Sequence, residues 1–415
     1  MFLLRQLFPN KKLSAIKEAT KQALEQANFK GLFNTGDSVA ITAGSRGINN
    51  ISLIMKAVVD YVYSQGGLPT VLASMGSHGG GSVSGQLEVL KGLQITPDSM
   101  ECPVLACDTS LPLPEINGTF YINGLAFDFD RIVVVNRIKP HTSFHGPVES
   151  GLMKMLAVGL GGPEGASRIH ALGINALPGI IPEVASVVLK HLPVTLGLAI
   201  LEDLHENTMA IEAVLPEKFM ETEQRLLEVA RKHMPGIPFD DIDILIVEEI
   251  GKIFSGTGMD TNVIDRIRIT GVPEPLVPRI KRIVALGLAH GGKGNAYGIG
   301  LADFTTRRLV DGIDLEAMYL NAMTSSFVQR AMIPMTFPDD LTAIRAAIKS
   351  LGNVEPDKIR MVRIKNTLDL EFMQVSRPLA DEASGSPCVE ILAQPAAMAF
   401  DEKNQIISLR FDPSL

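Results

Sequence analysis

A chain of 415 residues exceeds what one ordinary hydrophobic core supports, so two domains are expected. Apolar residues make up 46% and charged residues 20%, the balance of a soluble globular protein. The net charge of −8 argues against nucleic acid or an anionic membrane as the main partner, while leaving room for a local basic pocket that holds one phosphate.

The three cysteines, Cys102, Cys107 and Cys388, have neither zinc-site spacing nor the number for a complete disulfide framework, which points to a reducing cytoplasm. MFLLRQLFPNKK at the start has too short an apolar run, with its charges on the wrong side, for a signal peptide. Pro, Gly or charge interrupts every apolar stretch before the ~20 residues of a membrane span, so no membrane association is expected.

In chain order, SVAITAG (38–44) reads as a strand and ISLIMKAVVDYVYSQGG as a helix that stops at glycines. LPTVLASMG (68–76) predicts a second strand, and SGQLEVLKGL a helix after a Gly-rich turn. RIVVVNRI (131–138) and TLGLAILE (195–202) predict further strands, with IIPEVASVVLKHL between them as a helix carrying Pro in its first turn. The charged helix EKFMETEQRLLEVARKHM runs into PGIPFDDID, and residues 234–241 make the best linker. IDILIVEEIG (242–251) and RIVALGLA (282–289) open a second α/β unit, with helices near 313–326 and 339–350 and tail strands at 389–393 and 405–410.

The expected architecture is therefore α/β in two domains: a parallel-sheet, Rossmann-like N-terminal domain over 1–237 and a smaller α/β domain over 238–394, with the active site in the cleft between them. The tail from about 395 to 415 can pack on either, and is assigned to the N-terminal domain.

Ligands of an open parallel sheet bind beyond the carboxyl ends of its strands. Three strands of the first half end in polar loops, AGSRGINN, SMGSHGGGS and NRIKPHTSFHG, so Arg46, His78 and His141 stand in equivalent positions and share one crevice if the strands are neighbours. SHGGGSVSG sets glycines and hydroxyls before a helix, as a phosphate cradle requires, although a turn with a capping serine has the same pattern. GLGGPEG does not fit GxGxxG, and GLAHGGKG places Gly294 where a P-loop needs Ser or Thr, so dinucleotide and NTP chemistry are weakly supported.

Lys154 lies in GLMKMLAVGLGG among apolar residues and glycines. Such a lysine either extends its head to solvent or is desolvated and reactive, as covalent cofactor attachment requires. Glu149 reads as a general base or a structural partner. His145 and His205 are loop residues within possible reach of the crevice, whereas His191 and His233 have helix-end or surface explanations.

The ordered set Ser45-Arg46, Gly76-Ser77-His78, Pro140-His141, Lys154 and His170 resembles the superfamily of nickel-pincer-dependent lactate racemase and related 2-hydroxyacid racemases and epimerases. The resemblance spans most of residues 38–175, and the sixteen residues from Lys154 to His170 are similar to the family interval. Ser-Arg-Gly stands in place of Thr-Arg-Pro, and the stretch from His141 to Lys154 is longer than in the lactate enzyme, which leaves His141 and His145 as rivals for the second acid/base. The family's second-domain Gln and Lys motif has no counterpart here.

The resemblance implies reversible hydride transfer to a pyridinium-3,5-bisthiocarboxylic acid mononucleotide that carries nickel. Lys154 would tether it, His170 would bind the nickel, and Ser77, Gly79, Gly80 and Lys139 would cradle its phosphate. His78 and His141 would exchange the substrate hydroxyl proton while Arg46 holds its carboxylate. The implied partners are a small 2-hydroxyacid and the cofactor-synthesis enzymes. The alternatives are a nicotinamide-dependent hydroxyacid dehydrogenase and a non-catalytic phosphate-ligand or metal-binding protein.

Overall fold

The computed structural model describes residues 1–8, 11–26, 31–45, 47–113 and 120–408. The chain divides into two compact units, Asn10–Met234 and a second made of Met1–Pro9 with Pro235–Leu415.

In the first unit the elements are α1 (Ile16–Gln26), β1 (Ser38–Ala43), α2 (Ile51–Ser64), β2 (Leu68–Ala73), α3 (Val83–Gly92), β3 (Val104–Leu105) and β4 (Arg131–Arg137). These are followed by α4 (Gly162–Ala171), α5 (Leu177–His191), β5 (Val194–Glu202), β6 (Thr208–Val214) and α6 (Phe219–Lys232). One sheet has the order β3-β2-β1-β4-β5-β6. Its strands are parallel except β6, which runs antiparallel to β5.

Alternation along each strand divides its side chains between two cores, which is why these strands read as unbroken apolar runs. Ile41, Val71, Val133 and Leu198 face a cluster with Leu24 of α1 and Ile54 and Val58 of α2. Ala40, Leu72, Val134 and Ala199 face the opposite cluster, with Leu152, Leu156, Ile181 of α5 and Leu226 of α6. The chain builds outward from β1 through β2 to β3, then crosses back to β4. The point where strand order reverses lies between β1 and β4.

The second unit holds β7 (Asp241–Ile250), β8 (Arg279–Leu288), β9 (Phe304–Thr306), β10 (Met335–Phe337), β11 (Met361–Ile364), β12 (Phe372–Val375) and β13 (Val389–Ile391). Its sheet runs β10-β9-β8-β7-β11-β12, then the N-terminal strand Phe2–Gln6, then β13. The first five strands are parallel and the rest antiparallel.

Four expectations change. The first residues belong to the second unit, because Phe2–Gln6 supplies the missing neighbour for both β12 and β13 and so covers two backbone edges. The described tail also goes there and not with the N-terminal domain: Ala396 N–H donates to Met1 O at 2.9 Å, and Ile406 N–H to the buried carboxylate of Asp340 at 2.9 Å. In place of a strand at 405–410 there is an isolated bridge between Phe400 and Ile406, with residues 409 and 410 outside the described set. Helix α5 starts earlier than expected, with Pro178 in its first turn and Pro182 inside it.

Candidate functional site

Strands β2, β1 and β4 are adjacent and parallel, so the loops that follow them leave the same edge of the sheet, beside the point of strand reversal. The condition set by the sequence for His78 and His141 to share an edge is met. Arg46 lies outside the described residues.

The loop after β2 is a run of left-handed turns. Gly76, Gly79, Gly80 and Gly81 all have φ between 57° and 67°, a region that costs glycine little. A Cβ on Gly85, in the first turn of α3, would sit 1.9 Å from the Gly79 carbonyl oxygen, so the turn lies backbone against backbone on that helix. Ser82 caps α3 by accepting the Gly85 N–H at 3.2 Å. The capping-serine reading thus applies to Ser82, while Ser77, Gly79 and Gly80 form the turn before it. His78 Nδ1 lies 2.8 Å from the Met75 carbonyl oxygen. A carbonyl only accepts, so Nδ1 carries the proton and Nε2 is the basic nitrogen.

His141 has the opposite arrangement. Its Nδ1 accepts the Ser143 N–H at 3.1 Å, which places the proton of the neutral ring on Nε2. Its ring stacks on Phe144 with centroids 4.4 Å apart. His145 is exposed, and its Nδ1 lies 3.2 Å from Glu149.

Glu149 is fully buried and organises this loop. Its Oε2 accepts the His141 N–H at 2.6 Å. Its Oε1 accepts the Gly146 N–H at 3.1 Å and an Arg231 N–H at 2.6 Å. Burial pushes this carboxyl up, but the bonds from His145, His141 and Arg231 outweigh it and hold the pKa below the usual carboxylate value. Of the two roles open for Glu149, this saturated acceptor fits the structural one.

Lys154 rides on a short helix that starts at Leu152 and widens over Met155–Gly159, where Leu160 N–H donates to Met155 O five residues back. Such π turns are rare and often lie at functional sites. The helix is pinned to the His78 loop, since Gly76 N–H donates to Gly159 O at 3.2 Å and a Cβ on Gly76 would lie 2.9 Å from the Ala166 Cβ. It is pinned to β4 by the Asn136 side-chain amide, which donates to Gly151 O at 2.7 Å. Lys154 is half-buried, its Nζ 5.8 Å from the ring centroid of Phe144, the same ring that His141 packs on. Lys139 is half-buried, and its N–H donates to Ser150 O at 2.9 Å.

His170, in the last turn of α4, is exposed, and its pKa is lowered by the protein packed around one side of the ring and then by the charges of Lys154 and His78. His78, Lys154 and His170 come from three separate elements, and the other two both act on His170. Glu223 of α6 is fully buried, and its Oε2 accepts the N–H of Met153, the neighbour of Lys154, at 2.9 Å. Burial raises its pKa to about 7, against the opposing influence of the Met153 and Leu152 amides and of Lys154.

Among the described residues no group of three or more His, Cys, Asp or Glu forms a metal cage. The described residues suit a ligand attached through an amine: the Lys154 charge acts on His170, and the glycine turn has open space at Gly80, where an added Cβ meets no atom within 4 Å.

Phe144, Glu223 and Arg231 are site residues that the sequence reading passes over. A signal exists for Glu223, which falls on the apolar stripe Phe219, Leu226, Leu227 and Ala230 of an otherwise charged helix. His205 is exposed, its N–H bonded to Asp203 at 2.9 Å, and His233 Nδ1 donates to Val229 O at 2.8 Å. No single helix among the described residues is long and apolar enough to cross a membrane.

No family model and no curated protein matches the chain. Solved structures do. A structural-genomics crystal structure of a Thermotoga maritima protein aligns with a TM-score of 0.51 at 14% identity, over 84% of this chain and 94% of that one. The lactate racemase apoprotein from Thermoanaerobacterium thermosaccharolyticum aligns with a TM-score of 0.52 at 14% identity, over 85% of this chain and 96% of that one. The fold is shared along nearly the whole of both.

Proposed function

We propose that the chain is a racemase or epimerase of a 2-hydroxyacid that works with a nickel-pincer nucleotide tethered to Lys154. What supports this reading is that the charges of Lys154 and His78 both act on His170, that Phe144 contacts both Lys154 and His141, and that the loops bearing His78 and His141 leave one edge of adjacent parallel strands. The fold shared with a lactate racemase apoprotein supports it.

In this reading Lys154 is the attachment point, and His170, an imidazole that gives up its proton readily, is the protein's nickel ligand. Ser77, Gly79, Gly80 and Lys139 hold the phosphate, and Arg46 grips the substrate carboxylate with its planar fork. When bound, the group supplies a reversible acceptor for the hydrogen on the hydroxyl-bearing carbon, as hydride.

This chain's own residues manage the proton. As hydride leaves carbon, the hydroxyl must lose H⁺, and the two enantiomers present that hydroxyl to different sides. His78, with its basic Nε2, takes the proton from one enantiomer. His141 returns one to form the other, acting as an imidazolium whose Nδ1 has let go of the Ser143 N–H and taken a proton, so that loss of the Nε2 proton leaves a neutral ring. In the reverse reaction the two exchange roles, which general acid–base catalysis near neutral pH allows.

Co-expression with cofactor-synthesis enzymes tests the reading: intact mass and metal analysis should show an adduct on Lys154 and stoichiometric nickel. His78→Ala and His141→Ala should each lower racemisation by about 10²–10⁴-fold while keeping the adduct. Unmodified, nickel-free protein after such co-expression would refute the reading. Full activity in either alanine variant would refute the two-histidine assignment.

A further inference from the structure

The ring of His78 is held by one carbonyl of its own loop. The Met75 oxygen accepts the His78 backbone N–H at 3.2 Å and lies 2.8 Å from the ring Nδ1. That backbone bond closes a turn whose first inner residue is Gly76, so the torsions of Gly76 decide whether the Met75 oxygen stays within reach of the ring. Gly76 sits at φ 57°, and glycine takes either sign of φ at small cost, so contacts from outside the turn must select its shape. Two do so. The Gly76 N–H donates to Gly159 O at 3.2 Å, and the Gly76 carbonyl accepts from the Gln86 side-chain Nε2 at 3.1 Å. The first bond fixes the peptide before Gly76 and the second the peptide after it.

Gln86, the fourth residue of α3, is 2% exposed. Among the described residues its Oε1 has no hydrogen-bond partner. A buried acceptor left unmatched is costly, and leucine or methionine fills a similar volume without stranding one. Packing therefore does not account for an amide here, whereas its bond to the backbone two residues before His78 does. We propose that Gln86 is a positioning residue for His78: by holding the Gly76 carbonyl it fixes the turn in which the Met75 oxygen accepts from Nδ1–H, which leaves Nε2 as the basic nitrogen. A ring with its proton on Nε2 would present a donor where proton abstraction needs a base. That consequence rests on the function proposed above, but the effect of Gln86 on the ring does not.

The test uses full-length protein without cofactor or substrate, labelled with nitrogen-15 at histidine. Two-bond proton–nitrogen correlation reads the ring tautomers at pH 8, above the ordinary imidazole pKa of about 6.5. A His78→Gln sample identifies the His78 signal among the eight histidines. In wild type the Nδ1–H form should dominate. Gln86→Leu and Gln86→Met keep volume but remove the donor, and each should raise the share of the Nε2–H form at least threefold. His141, held by the Ser143 N–H and Glu149, should keep its wild-type spectrum in both. An unchanged His78 ring in either folded variant, or equal changes at His78 and His141, would overturn the proposal.

Should neither variant fold, wild-type protein decides. It should combine a slowly exchanging Gln86 side-chain amide with the Nδ1–H form of His78, and a freely exchanging amide or a dominant Nε2–H ring would overturn the proposal. No cofactor enters these measurements. A protein whose His78 ring follows Gln86 but that never acquires an adduct would refute the proposed function while this inference stands. A nickel-loaded enzyme whose His78 ring ignores Gln86 would do the reverse.

Discussion

Replacing Glu149 by glutamine should destabilise the first unit without acting on the chemistry directly. The carboxylate is fully buried and takes four donors: the His141 and Gly146 amides, the His145 ring and Arg231. A glutamine has one acceptor oxygen and one NH₂. Turned one way, the NH₂ confronts the His141 N–H; turned the other, it confronts Gly146 and Arg231. Either way a buried donor loses its partner, at about 1–3 kcal/mol. Breaking a fully buried ion pair costs about 3–5 kcal/mol, but the Arg231 side chain is 36% exposed, so water compensates part of its loss. The sum is roughly 2–4 kcal/mol, or about 5–15 °C in Tm for a unit of this size.

Thermal and urea unfolding of Glu149→Gln, Arg231→Met and the double variant should show strong coupling between the two sites. Glu149 titrates below its unfolded value of 4.5, so its stabilisation is full above that pH and is lost as pH falls through the folded value. The gap between wild type and Glu149→Gln should therefore close in acid. Wild-type stability in Glu149→Gln together with abolished turnover would refute this account, since that combination is what a general base predicts.

Glu223 has the opposite sign. Its folded pKa of about 7 lies above the unfolded 4.5, so its contribution is most favourable below 4.5 and is lost as pH rises through 7. The cost approaches roughly 3 kcal/mol once the carboxyl is ionised, and Glu223→Gln should recover much of it at pH 8 in a melting experiment; no gain there would contradict the assignment. Gly85→Ala sets two effects against each other. Helix propensity favours alanine by about 1 kcal/mol, but a Cβ 1.9 Å from the Gly79 oxygen must displace backbone, at roughly 1–3 kcal/mol or more. A lowered Tm is expected, and a raised one would show that the His78 turn yields freely.

Strands such as RIVVVNRI were legible because a parallel strand buried on both faces needs an apolar residue at every position. That His78 and His141 follow the carboxyl ends of their strands came from chain direction; that both strands flank the same neighbour is known only from the sheet order. The domain assignment of MFLLRQ was not legible, because nothing local states that residue 4 will pair with residues 373 and 391. The start of α5 was misread for a local reason: Pro178 and Pro182 are both compatible with a first turn, and the choice falls to packing of Leu177 and Ile181. The role of Glu149 depended on Arg231, 82 residues later, and no spacing rule reaches that far.

The same helix resolves the crowding of reactive groups between His141 and Lys154. Glu223 and Arg231 are eight residues apart on α6, about 12 Å along its axis, and project about 80° apart around it, within one broad face. One end of that face fixes the Lys154 helix through Met153, and the other fixes the His141 loop through Glu149. In the proposed reaction a flexible loop could not hold His141 in register with a ligand on Lys154, because an error of 1 Å is costly in an oriented reaction. Here both groups are referred to one rod, anchored in the core by Phe219, Leu226 and Leu227. A helix that reads in the sequence only as charged thus ties both segments to the core, Glu223 from a buried position and Arg231 from a half-open one.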